Sequence, residues 1–167
     1  MSFEPLTITA QNPGSGHERW MKLALAEAEK AFDLDEVPIG CVIIQNGRLI
    51  AKGHNLTEQL KDATAHAEMM AITSASAALE SRYLTETTLY ATIEPCPMCA
   101  GAIVLARIPH LVFGAYDLKA GACGTLYNIP QDKRLNHQVE VIPGVLDADC
   151  AALMQEYFRR RRPNGSH

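Results

Sequence analysis

Two short segments hold the residue types that can do chemistry: Thr64-Ala65-His66-Ala67-Glu68 and Glu94-Pro95-Cys96-Pro97-Met98-Cys99. Cys96 and Cys99 stand three residues apart, roughly 60° around a helix, so both thiols can face one point. The opening turn of a helix favours the thiolate, the form that binds metal. With His66 they supply one nitrogen and two sulfurs, a soft donor set suited to Zn²⁺. No fourth ligand is evident nearby, and three protein ligands leave a position for water, as in a catalytic zinc site. Glu68 fits beside the metal rather than on it, because His66 and Glu68 point about 200° apart on a regular helix. Their convergence requires the first turn, where the incoming chain leaves both groups near one opening. A carboxylate there can take a proton from an activated water and pass it to a leaving group.

Three other readings compete. A lone C-x-x-C in a reducing compartment can be a redox pair, and an isolated His-Ala-Glu is only a fragment of helix. A structural zinc would need a fourth ligand, with His54 or Cys123 as candidates. The joint occurrence of both segments at compatible spacing favours the catalytic metal.

The elements that must position these groups follow from periodicity and punctuation. A helix is predicted over about His17 to Phe32, with Trp20, Leu23, Ala24, Ala28 and Ala31 near helical spacing. CVIIQ and RLIAKG flank Asn46-Gly47, a strong hairpin signal. Ala63 to Leu79, rich in Ala and Met, reads as a second helix. TTLYATI (87–93) is a strand, and MCAGAIVLARI after Pro97 a third helix. HLVFGA (110–115) and QVEVI (138–142) are further strands, with the Gly-rich loop 120–124 between them. Leu146 to Arg162 closes the chain as an amphipathic helix with Leu146, Leu153, Met154, Tyr157 and Phe158 on its apolar side. The order predicts a three-layer α/β/α sandwich around one mixed sheet of about five strands. Both chemistry-bearing segments open helices, with a strand between, so they can meet at one edge of that sheet. Residues 1–16 read as a flexible arm, 17–162 as one domain and 163–167 as a tail.

The chain has 167 residues, 47% hydrophobic and 20% charged, which excludes a disordered or collagen-like chain. The start MSFEPLTITAQNPGSGHERW lacks the basic and apolar regions of a secretory signal, and no apolar run reaches membrane length. A cytoplasmic protein with no membrane partner is expected. Of five cysteines, Cys41, Cys123 and Cys150 lie in apolar settings and read as core residues rather than disulfide partners. Arg159, Arg160, Arg161 and Arg162 are consecutive; the rest of the chain carries eleven cations against nineteen carboxylates. An acidic body with a basic end suits a localised anionic contact or, equally, a solvated helix terminus.

H-x-E with P-C-x-x-C is the general signature of zinc nucleobase deaminases, so this match is a recognised one. A narrower resemblance extends over about residues 17–162. VPIGCVI, GHN, TAHAEMMAI, TTLYATIEPCPMCAGAI, RIPHLVFGAYDLKAGACGTLYNI, LNHQVEV and CAALMQEYFRRRR, in that order, resemble the bacterial tRNA-specific adenosine deaminases of the cytidine deaminase superfamily. The resemblance implies a cytidine deaminase-like fold, a homodimer with one zinc per subunit, and a tRNA anticodon stem-loop as partner. It assigns His66, Cys96 and Cys99 as zinc ligands and Glu68 as proton shuttle. Asn55, otherwise a turn residue ending the hairpin, matches a group that pairs with the flipped-out purine. Asp117 and Lys119, otherwise a polar connection, match a loop near the flanking nucleotides. Phe158, Arg159 and Arg160 match a helix that approaches the RNA. Ala63 departs from the family, which commonly has proline there, and residues 130–134 match weakly.

The implied reaction is hydrolytic deamination of the wobble adenosine to inosine, releasing ammonia. A free purine base or nucleoside deaminase, such as a guanine deaminase, is the alternative within the same chemistry. A non-catalytic RNA-binding module with a structural zinc is the alternative outside it.

Overall fold

A computed structural model of the chain describes residues 16–162. The arm expected over 1–16, Gly16 excepted, and the tail over 163–167 lie outside the described residues. The elements are α1 (His17–Asp33), β1 (Gly40–Gln45), β2 (Arg48–His54), α2 (Ala67–Leu79), β3 (Thr87–Ile93), α3 (Pro97–Leu105), β4 (His110–Ala115), β5 (Glu140–Ile142) and α4 (Asp147–Arg161). They build one five-stranded sheet in the order β2-β1-β3-β4-β5. β1 is antiparallel to both β2 and β3, whereas β3, β4 and β5 run parallel. The expected three layers are present. The sheet separates a core under α2 and α3, with Ala71, Leu89, Ile103 and Phe113, from one under α1 and α4, with Met21, Val42, Val112 and Cys150. Cys41, Cys123 and Cys150 are buried, as small core residues should be.

The hairpin forms where Asn46-Gly47 predicts it. Both residues have positive φ, 54° and 69°, matching the twist of the flanking strands. α2 packs directly on β2 because Gly53 lies beneath it: a Cβ there would meet the Ala67 carbonyl oxygen at 2.5 Å. That close approach sets the height of the first turn of α2, which carries half of the chemistry.

Several boundaries differ from expectation. α2 starts at Ala67 and not at Ala63, because Asp62 competes for the backbone. Its Oδ1 accepts from the Thr64 N–H at 2.8 Å and hydroxyl at 2.7 Å, holding 62–64 in a turn. β5 spans three residues rather than five, since Val139 donates to the Pro130 carbonyl instead of the sheet. α3 stops at Leu105, with Arg107 left-handed just beyond. On α1, Leu23 faces solvent and Met21 and Glu27 take the inner face. On α4, Tyr157 is 7% exposed but Phe158 is 46% exposed. Neighbouring helical residues diverge by about 100°, so only one of that pair can face the core. No helix among the described residues is long and apolar enough to cross a membrane.

Glu27 is buried on α1 and ties it to β2. Its carboxylate meets Lys30 at 2.5 Å, His54 Nδ1 at 3.1 Å and Lys52 at 3.6 Å. Burial pushes this carboxyl up, but hydrogen bonds with Lys30 and His54 outweigh it and hold it below the ordinary value of 4.5. A depressed folded-state pKa stabilises the fold above the unfolded value and is lost as pH falls through the folded one. Glu27→Gln is expected to melt below the wild type at pH 7, with the gap closing under acid. Thermal denaturation across pH 3–7 checks this; a pH-independent gap would mean that packing, not charge, is what Glu27 contributes.

Candidate active site

The chain leaves β2 through a loop that returns to the sheet edge: Asn55 N–H donates to the Ile39 carbonyl at 3.1 Å and Leu56 N–H to the Ala65 carbonyl at 3.0 Å. It enters α2 with His66 extended at φ −76°, ψ 154°, in the N-cap position. Cys96 does the same for α3, at φ −72°, ψ 172°, with Pro97 at the first helical position. Neither side chain caps its own helix. Both turn towards each other instead, so that His66 Nδ1 lies 3.5 Å from Cys96 Sγ and 3.6 Å from Cys99 Sγ. The extended backbone at His66 also resolves the divergence expected for His66 and Glu68 on one helix. His66 is outside the helix, and Glu68 turns inward from its first turn.

The spacing is that of a metal centre. Metal–sulfur bonds of about 2.3 Å and metal–nitrogen bonds of about 2.0–2.1 Å at a tetrahedral angle place N and S about 3.6 Å apart. Among the described residues, His66, Cys96 and Cys99 form the group whose ligand atoms all lie within 4.8 Å of one another. Neither proposed fourth ligand joins it. His54 is engaged by Glu27, and the Cys123 thiol lies 3.8 Å from the Pro95 carbonyl. Cys99 is buried while His66 and Cys96 are half-buried, so the group has one open side.

The electrostatics favour charge on the outer sulfur. Hydrogen bonding with Cys99 pulls the Cys96 thiol down to about 4 against its burial, with His66 adding to the pull. Hydrogen bonding to Cys96 in turn raises His66. Glu68 is buried, and that burial raises its carboxyl above the ordinary range against interactions with Cys99 and His66 that lower it. A carboxyl so placed holds a proton more readily than an exposed one, as a group that takes and gives protons must.

Asn55 is buried at the start of the loop that ends in His66. Its Nδ2 lies 3.5 Å from both Glu36 Oε2 and Thr57 Oγ1, at the long limit of a hydrogen bond. Glu36, fully buried, also accepts from the Gln59 N–H at 2.6 Å and the Thr57 hydroxyl at 3.3 Å. Asp117 turns inward on its own loop, its Oδ1 accepting from the Lys119 and Ala120 N–H groups at 2.9 and 3.1 Å. Lys119 is exposed and lines a groove with Gln155, Phe158, Arg159 and Arg162. The structure thus brings Lys119, Phe158 and Arg159 together. It leaves Arg160 apart, paired with Glu156 at 2.7 Å and stacked over the Phe32 ring.

Sequence reading misses two buried carboxylates. Glu36 lies in the charged run Asp33-Leu34-Asp35-Glu36, which reads as surface. Glu94 opens the E-P-C-P segment but has no partner nearby in sequence. Its carboxylate accepts from the N–H groups of Asp117, Cys123 and Thr125 and from the Thr125 hydroxyl.

A three-layer fold with a His-Cys-Cys group at two helix starts and a buried carboxyl beside it defines a deaminase domain. The sequence model of the MafB19-like deaminases matches residues 15–162. A tRNA-specific adenosine deaminase of Streptococcus pyogenes is 52% identical over 143 residues, covering 86% of this chain and 90% of that protein. A chain solved in work on A-to-I editing by tRNA:A34 deaminases at the wobble position of transfer RNA superposes with a TM-score of 0.78. It is 42% identical and covers 81% of this chain and 98% of its own. A guanine deaminase structure from Nitrosomonas europaea superposes at 0.76, covering 86% and 85%, but at 24% identity that likeness is one of fold alone. The chain belongs to the tRNA-specific adenosine deaminase family.

Glu36→Leu would take this acceptor from the buried Asn55 amide as well as from the Thr57 hydroxyl and the Gln59 N–H, at a cost of about 1–3 kcal/mol for a buried unpaired group. Urea unfolding should report that loss, and hydrogen exchange should quicken at Gln59. An unchanged midpoint would show that water replaces the carboxylate.

Proposed function

We propose that residues 17–162 form one zinc-dependent domain that hydrolytically deaminates adenosine at the first anticodon position of tRNA, leaving inosine. The observation that carries this reading is the pair of N···S distances, 3.5 and 3.6 Å, beside the buried carboxyl of Glu68. His66, Cys96 and Cys99 would hold the ion, which when bound supplies Lewis-acid activation of a water nucleophile. Glu68 takes one proton from that water and gives it to N1 of the purine ring; it then takes the second, from the hydroxyl now on C6, and gives it to the departing amino group, so that ammonia leaves and the C6 carbonyl of inosine forms. Asn55, its Nδ2 directed to Glu36 and Thr57, presents an amide to the polar edge of the unstacked base. An anticodon loop offers that base single-stranded, so little stacking energy opposes its entry. Asp117 shapes the adjoining loop, and Lys119, Phe158, Arg159 and Arg160 meet the flanking RNA. A homodimer is supported by the outer side of α3, where Leu105 is 74% exposed and open space lies above Gly101. A tRNA substrate supports a cytoplasmic location.

The test is a short anticodon stem-loop RNA incubated with zinc-loaded protein and read for inosine by mass. Inosine is expected when adenosine occupies the first anticodon position and not when it is moved along the loop. No inosine from fully metal-loaded protein overturns the substrate assignment and makes a free purine, guanine first, the substrate to test. Glu68→Ala is expected to retain zinc by elemental analysis and lose at least about 10²–10⁴-fold in turnover, the usual worth of a positioned acid–base group. An active Ala variant would remove Glu68 from the mechanism. Replacing Arg159 and Arg160 with Ala should flatten the salt dependence of RNA binding by at most about 0.7 log units for each phosphate no longer neutralised. An unchanged slope would return both arginines to the role of a solvated helix end.

A further inference from the structure

We propose that Glu94 is a positioning residue for the deamination site, locking the loop 117–125 onto the segment that carries the sulfur ligands. The proposal rests on the reading of His66, Cys96 and Cys99 as the metal site. Glu94 is 2% exposed and stands two residues before Cys96. Each of its oxygens receives two donors. Oε1 accepts from the Asp117 N–H at 3.3 Å and the Thr125 hydroxyl; Oε2 accepts from the Cys123 N–H at 3.0 Å and the Thr125 N–H at 3.1 Å. The next residue extends the same seam, because the Pro95 carbonyl accepts from the Ala122 N–H at 2.9 Å. Gly121 makes the close approach possible: a Cβ there would lie 2.5 Å from Glu94 Cδ and Oε2 and 2.5 Å from the Asp117 carbonyl oxygen.

Glu94 forms none of the ion pairs found among the described residues, and its charge is met by peptide and hydroxyl dipoles of one loop. Burying a carboxylate is costly unless such donors surround it, so the loop and the carboxylate hold each other in place. The same loop turns on Asp117 and presents Lys119, while exposed Leu126 follows the last clamped residue. Glu94 therefore makes two sides of the substrate opening, the ligand turn at Cys96 and the Lys119 loop, move as one body.

The test uses the full-length, zinc-loaded chain and two variants, Glu94→Gln and Thr125→Val. A glutamine keeps the shape but has one accepting oxygen, so whichever side its amide nitrogen takes faces two donors. Amide exchange in 117–125 is expected to quicken about tenfold in Glu94→Gln, the worth of one charge-assisted hydrogen bond. Exchange in α3 and zinc content should stay as in the wild type. Thr125→Val should shift the same amides less, and adding it to Glu94→Gln should add less than its own effect. On the stem-loop RNA, KM should rise about tenfold with kcat nearly constant, the mark of weakened binding rather than impaired chemistry. Unchanged exchange in 117–125 overturns the proposal, as does zinc loss or faster exchange throughout α3, which would make Glu94 a general support of the fold. Should Glu94→Gln fail to fold, Thr125→Val carries the exchange test alone. Wild-type protein that makes no inosine would defeat the substrate assignment, while the exchange data would still decide the role of Glu94.

Discussion

Two helices begin at the same place, and each gives up its side-chain cap to do so. The N-cap is where Ser, Thr, Asp or Asn ordinarily folds back onto free amides, at a gain of about 0.5–2 kcal/mol over Ala. Here the positions belong to His66 and Cys96, whose side chains point across the gap between α2 and α3 and leave those amides uncapped. The uncapped first turns keep their positive ends directed at the group of sulfurs, which favours thiolate there. The Ala67 backbone resting on Gly53, and Pro97 fixing φ at the start of α3, keep the two starts in register with the sheet. Most of the remaining architecture serves that convergence.

Around it stand three buried carboxylates, each bound to a different segment. Glu27 joins α1 to the end of β2, Glu36 holds the loop from Asn55 to Gln59, and Glu94 holds the loop from Asp117 to Thr125. Loops ordinarily satisfy their backbone with water and move accordingly. A carboxylate inserted from the core replaces that water with fixed acceptors, so irregular segments near the site acquire definite positions without secondary structure.

What can be read from the sequence is whatever depends on neighbours along the chain. The Asn46-Gly47 turn, the burial of Cys41 and Cys150, the order of the elements and the spacing of Cys96 and Cys99 are all local patterns, and the structure contains them. Glu36 and Glu94 depend on partners about twenty residues or more away and carry no local mark. The early start expected for α2 fails because a single Asp62 side chain offers the backbone a competing turn. Phe158 reads as inward only while apolar character stands proxy for direction, and the helical angle between it and Tyr157 decides otherwise. The convergence of His66 with Glu68 is legible as a requirement, but its means, an extended residue ahead of the helix, is not.

Three of the four arginines divide between the two roles open to them. Arg161 is committed to the fold: it pairs with Asp35 at the end of α1 and lies 4.2 Å over the Tyr157 ring, fastening α4 to α1. Arg159 and Arg160 share one carboxylate, Glu156, which their hydrogen bonds hold down at about 2 and thus ionised throughout the physiological range. Exposed pairs of this kind contribute little to stability, so an anion could take over the Arg159 guanidinium at little cost. Glu156 holds both heads, Arg159 beside the groove that Lys119 lines and Arg160 over the Phe32 ring. A shared anchor of this kind lowers the side-chain entropy that a guanidinium would lose on meeting an anion, so the RNA contact proposed for this edge would begin from side chains already held.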